Sequence, residues 1–208
     1  MKDEHLQMLS RLIQLSFVVI IAVELALGRF EWIASAVISL FITFVPNLIK
    51  RRISIALPPE LTFVIFLALF LHTMGGSLGL YTSTSWWDHL THSFSAFLVA
   101  SLGFIGVVII DKYADSIYLP PRFLSFFIFM LTIAFGVIWE ISEFASDQLR
   151  GSTMQYSLDD TMVDLMFDIG GGLAVAVMGP FYLLGTSKER FLQEMNIDEA
   201  ISEIRSKI

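Results

Sequence analysis

Long apolar runs separated by short polar breaks dominate the chain from its first residues. Six such runs occupy about residues 10–28, 31–49, 60–77, 87–110, 121–147 and 158–185. A hydrocarbon core about 30 Å thick is crossed by about 20 helical residues, so each run is long enough to span it. The pattern predicts an all-α, polytopic membrane helix bundle of six transmembrane helices. It divides into a transmembrane domain over residues 1–186 and a polar tail over 187–208. The first run follows a short charged leader and lacks a small-residue cleavage pattern, which predicts a retained signal anchor.

The breaks carry their own signals. Pro46, followed by Lys50, Arg51 and Arg52, predicts a helix stop and a hairpin reaching Pro58 and Pro59; Pro120 and Pro121 predict the same before the fifth run. Trp32, Trp86 and Trp87 fall at one predicted interface, and Tyr113, Tyr118 and Tyr182 at the other, where amphipathic rings are favoured. Beyond Thr186, Ile197, Ile201, Ile204 and Ile208 recur as one face of an amphipathic helix, which is expected to lie on the membrane or against a second copy. The chain shows no internal repeat, which counts against an inverted-repeat transporter.

Charge then orients the bundle. Of the 13 Lys and Arg residues, all but Arg29 and Arg150 fall on one side of the predicted spans. Positive residues resist translocation, so that side is expected to be the cytosol and to hold both termini. The 20 acids divide evenly, so the net charge of −7 comes from the other, outward side. A surface of that sign repels nucleic acid and attracts cations. The absence of Cys excludes disulfides and thiolate metal ligands.

Ionisable residues within spans are expensive and need partners. The fourth run opens with Asp88 and His92, four apart and on one helical face, with His89 turned about 100° away. The fifth closes with Glu140 and Glu143, and then Asp147; the sixth opens with Asp160, Asp164 and Asp168. Between these residues and the cytosolic boundary lie 18 uncharged positions after His92, 17 before Glu140 and 17 after Asp168. At 1.5 Å per residue, all three sit at about the same height, about 25 Å from that boundary. If their faces converge, they share one pocket below the outward surface.

Carboxylates gathered in a low-dielectric pocket require compensation, by protons or by a divalent cation, since bases are scarce there. Carboxylate oxygens with one imidazole suit Mg²⁺, Mn²⁺, Ca²⁺ or Zn²⁺. The expected metal ligands are Asp88, His92, Glu140, Glu143, Asp160, Asp164 and Asp168, with Glu140, Glu143 and Asp164 the candidates for catalytic carboxylates. Asp88, Asp147, Asp159 and Asp160 are equally well read as solvated helix ends. His72 and His89 are weaker candidates. Glu24 either joins the site or bonds to a neighbouring hydroxyl. Gly170, Gly171 and Gly172 read as a notch for a neighbouring helix rather than a phosphate loop, because they lie inside a span.

The motifs Asp88-x-x-x-His92, Glu140-x-x-Glu143 and Asp160-Thr161-x-x-Asp164 with a Gly-rich stretch after it, in that order over about residues 60 to 185, resemble the YjdF-like family of uncharacterised prokaryotic membrane proteins. In layout they are remotely similar to VanZ-like membrane proteins. Ser95 and Ala96 replace a Gln-Gly pair usual in the YjdF-like pattern, and Asp159 replaces a Trp. The resemblance implies a multi-pass protein of a prokaryotic cytoplasmic membrane and supports the site's location, without specifying a reaction. The residues themselves suggest a metal-dependent enzyme acting on a lipid or lipid-linked phosphate. A cation or proton-coupled carrier and a membrane scaffold are the alternatives. Membrane lipid is the expected partner, with self-association as a further expectation.

Overall fold

A computed structural model describes residues 2–114 and 120–206. Asp115 and Tyr118, and Lys207 and Ile208 of the predicted tail, lie outside the described residues. All regular structure among the described residues is helical, in the order α1 (Lys2–Leu27), α2 (Glu31–Ile42), α3 (Val45–Ile53), α4 (Pro59–Ser77), α5 (Leu80–Ser83), α6 (Trp87–Tyr113), α7 (Pro121–Arg150), α8 (Leu158–Gly185), α9 (Lys188–Glu194) and α10 (Ile197–Arg205). Six segments are long and apolar enough to cross a membrane: Glu4–Leu27, Trp32–Ile53, Pro59–Ser77, Trp87–Tyr113, Arg122–Leu149 and Leu158–Leu183. Large apolar side chains such as Phe126, Met166, Met178 and Phe181 are exposed along them, as lipid-facing residues are.

The second span departs from its predicted end. Pro46 does not stop the helix: α2 ends at Ile42, and Pro46 enters the first turn of α3, which runs on to Ile53. A proline costs nothing at that position, because a first-turn N–H has no intrahelical partner. Ser54, in the left-handed region at φ 61°, ends the helix instead. Lys50, Arg51 and Arg52 occupy the last turn of α3, where positive charge complements the helix dipole.

The chain forms two compact units. The first holds residues up to Trp87 together with the segment from Lys188 onward. There α1 packs on α2 and α4, with Phe17 and Ala36 fully buried and Phe17 meeting Phe70 edge-on at 6.4 Å. Short polar links replace water between the spans: Gln14 donates to Thr43 at 3.1 Å, and the Ser39 and Thr73 hydroxyls lie 3.0 Å apart. Glu24, fully buried, accepts a hydrogen bond from the Ser77 hydroxyl and pairs with Arg29 at 2.8 Å. Of its expected readings, the bond to a neighbouring hydroxyl is present. His72 is hydrogen bonded through Nδ1 to the Tyr81 hydroxyl at 2.9 Å, in an aromatic group with Trp32.

The predicted tail helix is two helices, joined at Asn196 in the left-handed region at φ 56°. Leu192, Met195, Ile197 and Ala200 are buried and Ile201 is half-buried, whereas the side chains of Ile204 and Ile208 lie outside the described residues. α10 packs on α9 and α3, and the Ala56 N–H donates to the Met195 carbonyl at 2.9 Å. Periodicity reveals an apolar face but not what covers it, and here a nearby hairpin covers the part around Ile197.

The second unit runs from Asp88 to Ser187 and contains the rest of α6 with α7 and α8. Its centre is built from Ala96, Ala100, Val108, Ile128 and Ala176. Gly171 provides the predicted notch: a Cβ there would lie 2.8 Å from the Ser93 carbonyl and 2.9 Å from the Ala96 side chain. Gly172 lies equally close to Thr132 of α7. Backbones that approach this closely bring the polar ends of α6, α7 and α8 together.

Candidate functional site

His92 stands at the middle of these polar ends and is 5% exposed. Its Nδ1 lies 3.2 and 3.3 Å from the two carboxylate oxygens of Asp168 on α8. Its Nε2 lies 3.6 Å from Glu140 Oε1 on α7 and 3.7 Å from Asp88 Oδ1, one turn earlier on α6. The first pair are hydrogen-bond contacts, while the second pair are too long for hydrogen bonds. The Asp168 carboxylate accepts from the Nδ1 N–H and holds the ring, so that Nε2 faces Asp88 and Glu140.

Asp164, one turn before Asp168 on α8, is also buried. Ligand-type atoms of Asp88, His92 and Asp164 all lie within 4.8 Å of one another. Glu140 accepts on Oε2 from Gln155 at 3.0 Å, whereas its Oε1 is buried without a hydrogen-bond partner. A buried carboxylate oxygen left in that state is costly unless something positive approaches it.

Of the predicted residues, Asp88, His92, Glu140, Asp164 and Asp168 form this group. Glu143 is half-buried and accepts from Trp139 Nε1 on its own helix at 2.9 Å. Asp160 serves the start of α8: its N–H donates to the Ser157 side chain, and its Oδ2 accepts from the Tyr156 N–H at 3.4 Å. Both acids remain electrostatic neighbours of the group. Asp147 accepts from the backbone N–H groups of Met154 and Gln155 and from the Ser152 hydroxyl, and Asp159 is exposed. On the loop between α7 and α8, burial and then the charges of Asp88, Asp160, Glu143 and Asp147 push the Tyr156 hydroxyl above its ordinary pKa.

Three contributors were weak or silent in the sequence pattern. His89 bonds Asp164 Oδ1 through Nδ1 at 2.7 Å, and its ring stacks on Phe167 at 5.0 Å between centroids. Its 100° offset from Asp88 turns it towards α8 rather than away from the group. Gly136, one turn before Glu140, lies directly beneath Asp168, and a Cβ there would overlap the Asp168 carboxylate. The signal available was its four-residue spacing from Glu140. Gln155 belongs to an irregular loop, where no periodicity marks it.

Comparison with known proteins places the chain among relatives. The sequence profile of a family described as "Predicted membrane protein (DUF2238)" matches residues 7–185. The chain belongs to this family. The YjdF-like resemblance agrees with that membership. A Thermotoga maritima protein, described as an uncharacterized protein, is 30% identical over 135 residues, covering 64% of this chain and 68% of its own length. No solved structure matches the chain. The family's description supports a multi-pass membrane protein.

Proposed function

We propose that the cluster binds one divalent cation through Asp88, His92, Asp164 and Glu140, and that the protein is a metal-dependent enzyme acting on a lipid or lipid-linked phosphate. The observation that carries this reading is the division of labour at His92. One ring nitrogen is held by Asp168 and the other faces carboxylate oxygens that lack hydrogen bonds to it. Carboxylate–histidine–metal arrangements orient an imidazole ligand in this way. Two donors on opposite sides of an ion, each about 2.0–2.2 Å from it, stand at most about 4.4 Å apart. The 4.8 Å limit on Asp88, His92 and Asp164 therefore leaves only a small side-chain movement to close on an ion.

In this reading Asp168 positions His92 and is not a ligand. Glu143, one helical turn beyond Glu140, is the carboxylate assigned to activate water. The cation offsets the negative group and permits an anionic substrate to approach. The distribution of Lys and Arg supports cytosolic termini and an outward-facing site in a prokaryotic cytoplasmic membrane.

Metal analysis of the purified protein, paired with phosphate release from a synthetic lipid-linked diphosphate in detergent micelles, tests both parts. The expected result is about one divalent ion per chain and metal-dependent release, both lost in Asp164→Asn. Absence of bound metal at millimolar Mg²⁺, Mn²⁺, Ca²⁺ and Zn²⁺ would sink the reading. Bound metal with Asp164-dependent ion flux in proteoliposomes, and no hydrolysis, would replace the enzyme with a carrier.

A further inference from the structure

The loop between α7 and α8 is tied at two points, and the two ties form one mechanical line. Asp147, in the last turn of α7, accepts from the Ser152 hydroxyl at 2.7 Å, from the Met154 N–H at 2.8 Å and from the Gln155 N–H at 2.9 Å. The chain turns into this cradle at Gly151, whose φ of 69° lies in the left-handed region that glycine tolerates. The cradle fixes the backbone of Gln155. From there the side chain reaches back along α7, and Nε2 donates to the Glu140 carbonyl at 3.1 Å and to Glu140 Oε2 at 3.0 Å.

Both donor hydrogens of that amide are thereby committed to one residue. The consequence for Glu140 is directional. With Oε2 held by Gln155, the remaining oxygen Oε1 is buried, has no hydrogen-bond partner and stands 3.6 Å from His92 Nε2. A glutamate has three side-chain torsions and would otherwise sample several directions, losing rotamer entropy whenever it was ordered. The loop meets that cost during folding.

We infer that Gln155 is a positioning residue that presents Glu140 Oε1 as a ligand for the cation, and that Asp147 acts on the same ligand through Gln155. The inference rests on the cluster binding a divalent cation as proposed above. It assigns Asp147 a task distinct from ligation, although it belongs to the same acidic end. It also predicts coupling, since two residues acting in series on one ligand contribute once rather than twice.

The experiment is calorimetric titration of Mn²⁺ into purified full-length protein in detergent, for wild type, Gln155→Ala, Asp147→Ala and the double variant, with metal-free melting temperatures measured alongside. Each single variant is expected to raise Kd about tenfold, in the range by which partners of metal ligands act. The double variant should be no weaker than the weaker single one. Gln155→Glu, which keeps the length but offers a carboxylate in place of the amide donor, should not rescue binding. A Gln155→Ala protein that binds Mn²⁺ as wild type does, while wild type binds well, would overturn the inference alone. So would effects of the two variants that multiply. Wild type that binds no divalent ion would remove the metal reading, and this inference with it. If Asp147→Ala fails to fold, Gln155→Ala against Gln155→Glu still decides the outcome.

Discussion

Replacing Gly136 with alanine sets two physical effects against each other. In an ordinary helix interior the change stabilises by about 1 kcal/mol, because alanine loses less backbone freedom than glycine. At this position the added Cβ would overlap Asp168 Oδ2 and lie 3.0 Å from Asp168 Cγ and 3.2 Å from its Cβ. The carboxylate has to swing away, and its contacts to His92 Nδ1 at 3.2 and 3.3 Å go with it. A hydrogen bond to a charged group contributes about 1.5–3 kcal/mol net, so the loss exceeds the gain in helix propensity. Metal-free stability should therefore fall by about 0.5–2 kcal/mol. Affinity for the proposed cation, which on that reading depends on His92 holding its orientation, should fall about 10- to 100-fold. Titration calorimetry with Mn²⁺ and the metal-free melting temperature together provide the assay. Gly106→Ala on α6 is the control, because a Cβ there meets nothing within 4 Å. A Gly136→Ala protein that melts higher than wild type and binds Mn²⁺ with wild-type affinity would refute the assigned role of Asp168.

Two further outcomes test the fold. Gly171→Ala should cost about 1–3 kcal/mol, because the added methyl meets the Ser93 carbonyl at 2.8 Å and backbone does not rotate aside; Gly170→Ala, with open space at its Cβ, should be neutral or slightly stabilising, and equal denaturant midpoints for the two variants would contradict the close approach of α6 and α8. Ile197→Asp should release α9 and α10, since Ile197 is 1% exposed and its burial contributes about 1.5–3 kcal/mol. Trypsin cleavage after Lys188 and Arg190 should then accelerate at least about tenfold, whereas an unchanged cleavage rate would show that the segment is not held by its apolar face.

Much of this architecture is written in the order of residue types. A hydrocarbon core imposes one length on every span, so six apolar runs specify six helices without knowledge of their neighbours. Helical spacing likewise assigns Asp88 with His92, and Asp164 with Asp168, to single faces, and uniform rise places His92, Glu140 and Asp168 at one height. The roles within the group required the tertiary contacts. Periodicity gives the face of a helix but not its rotation against a partner, so Asp168 and Asp164 look equivalent in the sequence. In the fold, one holds His92 Nδ1 and the other holds His89. The same limit hid His89 behind its 100° offset and left the apolar face of the tail without a partner, while Pro46 passed for a helix stop because the sequence did not show that a new helix begins beside it. Gln155 carried no pattern because an irregular loop has no repeating geometry to read. Its meaning arises from Asp147, eight residues away, turning the chain back onto Glu140.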